Sequence, residues 1–132
     1  MPFTHSFQRR WTNGNSLPIS VSEDVTADAE DNRDIPVPHN TADKVVNLAI
    51  DYASLKSIYL SSDKAVTINT NDLETPDDVI ELAAGAALCW TPKCGFPNPF
   101  TADVTVLHIV NASLSAGDDA TITIRVLQDS TP

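Results

Sequence analysis

The sequence predicts an all-β protein, a jelly-roll-like antiparallel β-sandwich of about eight to ten short strands with little helix. Three observations carry this expectation. In residues 120–127, Ile122, Ile124 and Val126 alternate with Thr121, Thr123 and Arg125, so an extended strand there has one greasy side and one polar side. In residues 101–110, Val104, Val106 and Val110 point one way while Leu107 and Ile109 point the other, a pattern that asks for cover on both faces. Segments of this kind recur between turn residues about every eight to twelve positions, the spacing of a sandwich or barrel, and no self-repeat points to a propeller or solenoid.

Length and charge bound the rest. A chain of 132 residues fits one domain, residues 1–132, with residues 1–16 as an N-terminal strand or arm suited to subunit contacts. Apolar content of 42% with 20% charged residues is ordinary for a globular protein, and nine prolines against four glycines point to stiff turns. A formal net charge of −10 argues against a nucleic-acid partner, because phosphate binding draws on clustered Lys and Arg; Arg9 and Arg10 form the only adjacent basic pair. No apolar run approaches the roughly eighteen residues of a membrane span, and the opening MPFTHSF lacks a signal pattern, so no membrane partner is expected and synthesis in the cytosol is.

Residues 4–12 form the first strand, with Phe3, His5, Phe7, Arg9 and Trp11 on one side and Thr4, Ser6, Gln8, Arg10 and Thr12 on the other. Asn13-Gly14-Asn15 is a tight-turn signal, since Asn-Gly accepts positive φ. A second strand follows, with Leu17, Ile19, Val21, Val25, Ala27 and Ala29 in period two and Glu23 breaking it, as a bulge or rim would. From Glu23 to Asp34 there are six acids and one Arg, which reads as a solvated edge; calcium ligation by Asp28, Glu30 and Asp34 is the sharper alternative. Residues 35–39, with Pro36 and Pro38, read as a short edge strand. Residues 44–51 are nearly continuously apolar and look like a central strand, with one helical turn at residues 52–55. Residues 56–61 and 65–70 then follow as a pair. Residues 75–84 carry a helix start signal in Thr75, Pro76, Asp77 and Asp78, yet Ile80, Leu82 and Ala84 alternate with Glu81, and strand is the favoured reading. Residues 86–90 continue as a strand, and the proline-rich residues 92–100 form an irregular loop of the sort that makes contacts.

Reactive chemistry is not signalled. Cys89 and Cys94 lack a second Cys or His pair at zinc spacing, so no metal is expected; Cys89 reads as a small buried apolar side chain, Cys94 as a loop thiol, and a local disulfide stays open. Hydrolase, metalloprotease, phosphate-loop and dinucleotide motifs are all missing, so the expectation is a protein that is not an enzyme and takes no cofactor. His5 and His108 read as structural strand histidines and His39 as solvated. Asn111 opens a glycosylation sequon taken as accidental.

Several phrases carry a family resemblance. FTHSFQRRWTNG (residues 3–14), VVNLAIDYASLKSIYLSSDKAVTINTN (45–71), IELAAGAALCW (80–90) and FTADVTVLHIVNASLSAGDDATITIRVLQDSTP (100–132) resemble small proteins encoded among the head genes of tailed bacteriophages, similar to capsid decoration or cement proteins. The resemblance implies a β-sandwich virion protein on the outer surface of the head shell. It would be made in the host cytoplasm and would stabilise contacts between capsomers. Its implied partners are the major capsid protein and copies of itself, as a dimer or trimer. The candidate interface is the aromatic strand, with Phe3, His5, Phe7, Arg9, Arg10 and Trp11, together with Phe96, Pro97 and Phe100 of the loop. The same strand, or another subunit, is expected to close the second apolar face of residues 101–110. The alternatives are a carbohydrate-binding module using Trp11, Tyr52, Tyr59 and Trp90, and a tail or baseplate component.

Overall fold

The chain departs from the simplest sandwich at its start, where two long strands form a sheet of their own. The computed structural model describes residues 2–11, 14 and 19–129, with the backbone alone at 10 and 11. β1 (Phe3–Trp11) and β2 (Ile19–Ala27) pair antiparallel in one unbroken register from Phe3 opposite Ala27 to Trp11 opposite Ile19. Glu23 sits in that register opposite Phe7, so the expected bulge is not there. A bend at Asp28 passes the chain into β3 (Ala29–Val37).

Eight strands then build the sandwich. They are β3, β4 (Thr41–Ile50), β5 (Leu55–Ser62), β6 (Val66–Thr70), β7 (Val79–Leu82), β8 (Ala87–Trp90), β9 (Val104–Asn111) and β10 (Ala120–Gln128). One four-stranded sheet has the order β3-β10-β5-β8 and the other β4-β9-β6-β7, with every neighbouring pair antiparallel. Each connection from β3 to β10 crosses between the sheets except β6 to β7. That is the double Greek-key winding of a jelly roll, as the sequence predicts.

The core lies between the inner faces. Ile35 and Val37 of β3, Ile58 and Leu60 of β5, and Ile122, Ile124 and Val126 of β10 meet Val46, Leu48 and Ile50 of β4, Ile68 of β6, and Leu107 and Ile109 of β9. Alternation puts these residues inward and their neighbours outward, which is why β10 reads so clearly.

Several expectations are corrected. Of residues 44–51, all but Asp51 belong to β4, an edge strand with β9 on one side only; the apolar run misleads because Val45 and Ala49 face solvent. β5 and β6 do not pair, since the turn at residues 63–65 carries the chain from one sheet to the other. At residues 75–84 the favoured strand reading holds, and the start signal at residues 75–78 opens no helix. The Asp78 carboxylate takes the Thr101 N–H at 2.9 Å and its hydroxyl at 3.0 Å, and the Asp78 carbonyl accepts the Thr70 N–H, so these groups lead into β7 as a strand.

Candidate functional site

The β1–β2 hairpin lies over the outer face of the β3-β10-β5-β8 sheet, with β2 against β5 and β10. Its upper side is polar and cross-linked: Thr4 meets Thr26 at 3.2 Å, Ser6 donates to Asp24 at 2.7 Å, and Gln8 donates to Ser20 at 3.2 Å. Its underside holds His5, Phe7 and Arg9 with Glu23, Val25 and Ala27. His5 anchors it, with Nε2 donating to the Glu30 carboxylate at 2.7 Å and Nδ1 meeting the Ser57 hydroxyl at 3.1 Å. A second latch is the Thr91 hydroxyl donating to Glu23 at 2.6 Å. Leu127 and Ser57 face outward from the sheet and are nevertheless wholly buried, because this lid excludes water from them.

That placement corrects part of the expected interface. His5 and Phe7 are half-buried against their own chain, and β1 covers the sheet containing β10, not the outer face of β9. Phe100 is a core residue, its N–H held by Asn98 Oδ1 at 2.9 Å. Phe96 is 76% exposed, Pro97 is exposed, and Phe3 is exposed at the base of the hairpin. Arg9 is half-buried, 3.9 Å from Glu23, and its Nη2 is buried with no hydrogen-bond partner. Arg10 and Trp11 pair through the backbone with Ser20 and Ile19; their side chains lie outside the described residues.

The surface that sequence reading located only indirectly is the outer face of the β4-β9-β6-β7 sheet. One row across it runs Val45, His108, Asn69, Val79, in which Val45 is 52% and Val79 53% exposed. Val106 and Val110 stand half-buried on the same face, and His108 Nδ1 is 2.9 Å from Asp43. A groove of about 530 Å³ lined by Thr67, Leu82, Val110 and Ala112 continues it at one end. The two-sided pattern of residues 101–110 was its signal, with one correction: Leu107 and Ile109 face the core, Val104 joins them there at the irregularity beside Ile50, and Val106 and Val110 have no element of this chain above them among the described residues.

The acidic segment is dispersed among separate partners. Glu30 holds His5, Asp31 takes Arg33 through both oxygens at 2.8 and 2.9 Å, and Asp34 accepts from Arg125 at 3.2 Å. The calcium set imagined at Asp28, Glu30 and Asp34 is therefore not assembled, and among the described residues no three His, Cys, Asp or Glu side chains stand together as metal ligands. Asp31 holds the Arg33 guanidinium above its ordinary pKa through hydrogen bonding, with charge attraction adding to it.

Cys89 and Cys94 are free thiols; Cys94 lies in the loop after β8 as expected, whereas Cys89 is not the buried side chain the sequence predicts. Trp90 and Leu88 take the inward positions of β8, so Cys89 faces outward, where desolvation raises its pKa, while Cys94 packs against the core. His39, expected to be solvated, has Nδ1 2.7 Å from Asp119. Asn111 is fully buried, donating Nδ2 to the Val37 and Asp118 carbonyls at 3.1 and 2.8 Å, so its amide is engaged within the fold. The supposed sugar platform is dismantled, since Trp90 is in the core with Nε1 donating to the Phe96 carbonyl at 2.9 Å. No family model matches the chain, and the searches of curated proteins and of solved structures found no match.

Proposed function

We propose that this chain is a structural protein of a tailed-bacteriophage virion that decorates the outer surface of the head shell and ties neighbouring capsomers together. It would bind the major capsid protein after synthesis in the host cytoplasm, act without a cofactor and catalyse no reaction. The observation that carries the reading is the outer face of the β4-β9-β6-β7 sheet, where Val45 and Val79 are exposed, Val106 and Val110 are half-buried, and no element lies above them among the described residues. A sheet face with exposed valines is costly to leave in water and marks a contact surface. Among the described residues the hairpin lies over the opposite sheet, so the two faces of the slab differ. Jelly rolls serve in both capsids and lectins, which is a fold-level analogy that supports the reading without choosing the role. The resemblance of residues 3–14, 45–71, 80–90 and 100–132 to phage decoration proteins makes that choice. The net charge of −10 would keep the protein soluble before assembly and away from packaged DNA.

Heads assembled without this protein are expected to release DNA at lower temperature, or sooner on chelation, than heads carrying it. Equal robustness would overturn the proposal. A carbohydrate-binding role has one observation in its favour: Gln8, Tyr59 and Arg125 line an open groove of about 500 Å³ beneath β1. A glycan array without hits removes it. A tail or baseplate role would use the same sandwich and differ in where it docks.

A further inference from the structure

We infer that the groove beside β1 takes an extended peptide from a partner protein, which adds as a third strand to the free edge of β1 and carries an acidic residue two places from an apolar one. The hairpin is a two-stranded sheet, so among the described residues β1 has β2 on one side and no ladder partner on the other. The groove of about 500 Å³ lies on that open side, for residues 4–8 line it and no residue of β2 does.

The lay of the hairpin makes the groove. Leu127 has Glu30 opposite it on one neighbouring strand and Ser57 on the other, and His5 bonds both, so His5 stands above Leu127. Glu23, the register partner of Phe7, accepts from Thr91 just past the end of β8. The hairpin therefore runs across the strands of the sheet, above Leu127, Ser57 and Thr91. The next outward row is Arg125, Tyr59 and Cys89, each two residues away along its strand and in register with one another. Two residues of strand cover about 6.7 Å and neighbouring strands sit about 4.8 Å apart, so the shelf beside β1 has the width of one strand.

The wall of the groove selects a main chain. The side chains of Thr4, Ser6 and Gln8 are bonded to Thr26, Asp24 and Ser20 across the upper side of the hairpin. What remains toward the groove is the unpaired N–H and C=O groups of an edge strand, which another extended backbone matches in spacing. A sugar would need polar side chains aimed at it, and these three are turned the other way.

The floor selects the side chains. Tyr59 is 36% exposed, and Cys89 is exposed as a free thiol. Arg125 carries the one fixed charge among the lining residues, and no acid lines the groove. Its bonds to Asp34 and to the Arg33 and Ile124 carbonyls use its two terminal nitrogens, and the side chain stays 37% exposed. In a chain of net charge −10 such a place favours a carboxylate. Alternation sets the residues of an added strand that face the floor two apart. The one opposite His5 comes over Arg125 and is the acid, and the one opposite Phe7 comes over Cys89 and is apolar. The inference stands apart from docking on a shell, since it uses the other sheet.

Nuclear magnetic resonance on the full chain labelled with nitrogen-15, titrated with the capped peptide TTETVTT, tests it. Saturable shifts are expected at the amides of residues 4–8 and at Tyr59, Cys89 and Arg125. The same peptide with Lys in place of Glu should bind about tenfold more weakly, and Arg125→Gln, with an unchanged circular dichroism spectrum, should bring the two peptides level. Of two peptides N-methylated on alternate residues, the one whose methyl groups face β1 should lose binding and the other keep it. The inference is overturned by an absence of saturable shifts in the groove at millimolar peptide, by equal binding of the Glu and Lys peptides, or by two N-methylated peptides that behave alike. Groove amides that move with glucuronic acid and not with peptide, or that move on dilution of the chain alone because a second copy fills the groove, overturn it too.

Discussion

The buried Thr91 hydroxyl donates to the Glu23 carboxylate at 2.6 Å, tying the end of β8 to the underside of a hairpin strand 68 residues earlier in the chain. With His5 pinned to Ser57 and Glu30, this bond makes the hairpin part of the fold and not a loose arm. Thr91→Val keeps the shape and removes the donor, leaving a carboxylate under the lid with one partner fewer. The expected loss in urea unfolding is about 2 kcal/mol, typical of a hydrogen bond to a charged group, with faster proteolysis within residues 3–27. Wild-type stability and protease resistance would contradict the latch.

The two faces of the β4-β9-β6-β7 sheet should respond differently to substitution. Ile109→Ala removes a wholly buried side chain, and should cost about 3 kcal/mol in chemical unfolding. V45S and V79S, on the outer face, should each shift stability by no more than about 0.5 kcal/mol. The V45S/V79S pair should nevertheless weaken binding to heads in co-sedimentation. Full binding by that pair would move the docking surface elsewhere.

Asn111 joins β3, β9 and the short turn at Ala116–Asp118 through its two Nδ2 hydrogen bonds. Asn111→Ala leaves the Val37 and Asp118 carbonyls without these donors, and an expected loss of about 2 kcal/mol follows in thermal or urea unfolding. A neutral effect would mean that water replaces the amide.

Acid should weaken the fold through Asp119 and Asp72. The His39 backbone N–H, then the His39 ring, lowers the Asp119 pKa, and the Thr75 and Glu74 backbone N–H groups lower that of Asp72. A carboxylate whose folded pKa is depressed contributes stability that is present above its unfolded value, about 3.9 for Asp. That contribution is lost as pH falls through the lower folded value. The melting temperature should therefore fall as the pH drops below about 4, and Asp119→Asn should flatten that part of the profile. An identical acid limb in the variant would remove Asp119 from the account.

Sequence reasoning reached the jelly roll because β5 and β10 alternate and short strands recur between turns, and alternation depends only on the two-residue period of a strand. It misplaced β4 because an apolar run reads the same whether its second face meets a neighbour or water; Val45 is distinguished only by where β4 ends up. It took β1 for a strand or arm suited to subunit contacts or to closing the second face of residues 101–110, because period two reveals an aromatic side but not what that side lies on. Glu23 seemed to interrupt the pattern, yet a buried threonine from β8 waits beneath it, a contact of long range that no local window contains. Phe96 and Pro97 were placed on the surface correctly, whereas Phe100, one turn further along, is drawn into the core. The outer face of β9 was expected to be closed by the N-terminal strand or by another subunit, and the structure puts the N-terminal strand on the other sheet.

Electron microscopy of intact particles tests the central claim most directly. The account predicts density for this chain outside the head shell at junctions between capsomers, with the Val45–Val79 side of the sandwich turned toward the shell. Density at the tail or baseplate, no density on the particle, or a sandwich bound with its hairpin side against the shell would contradict it.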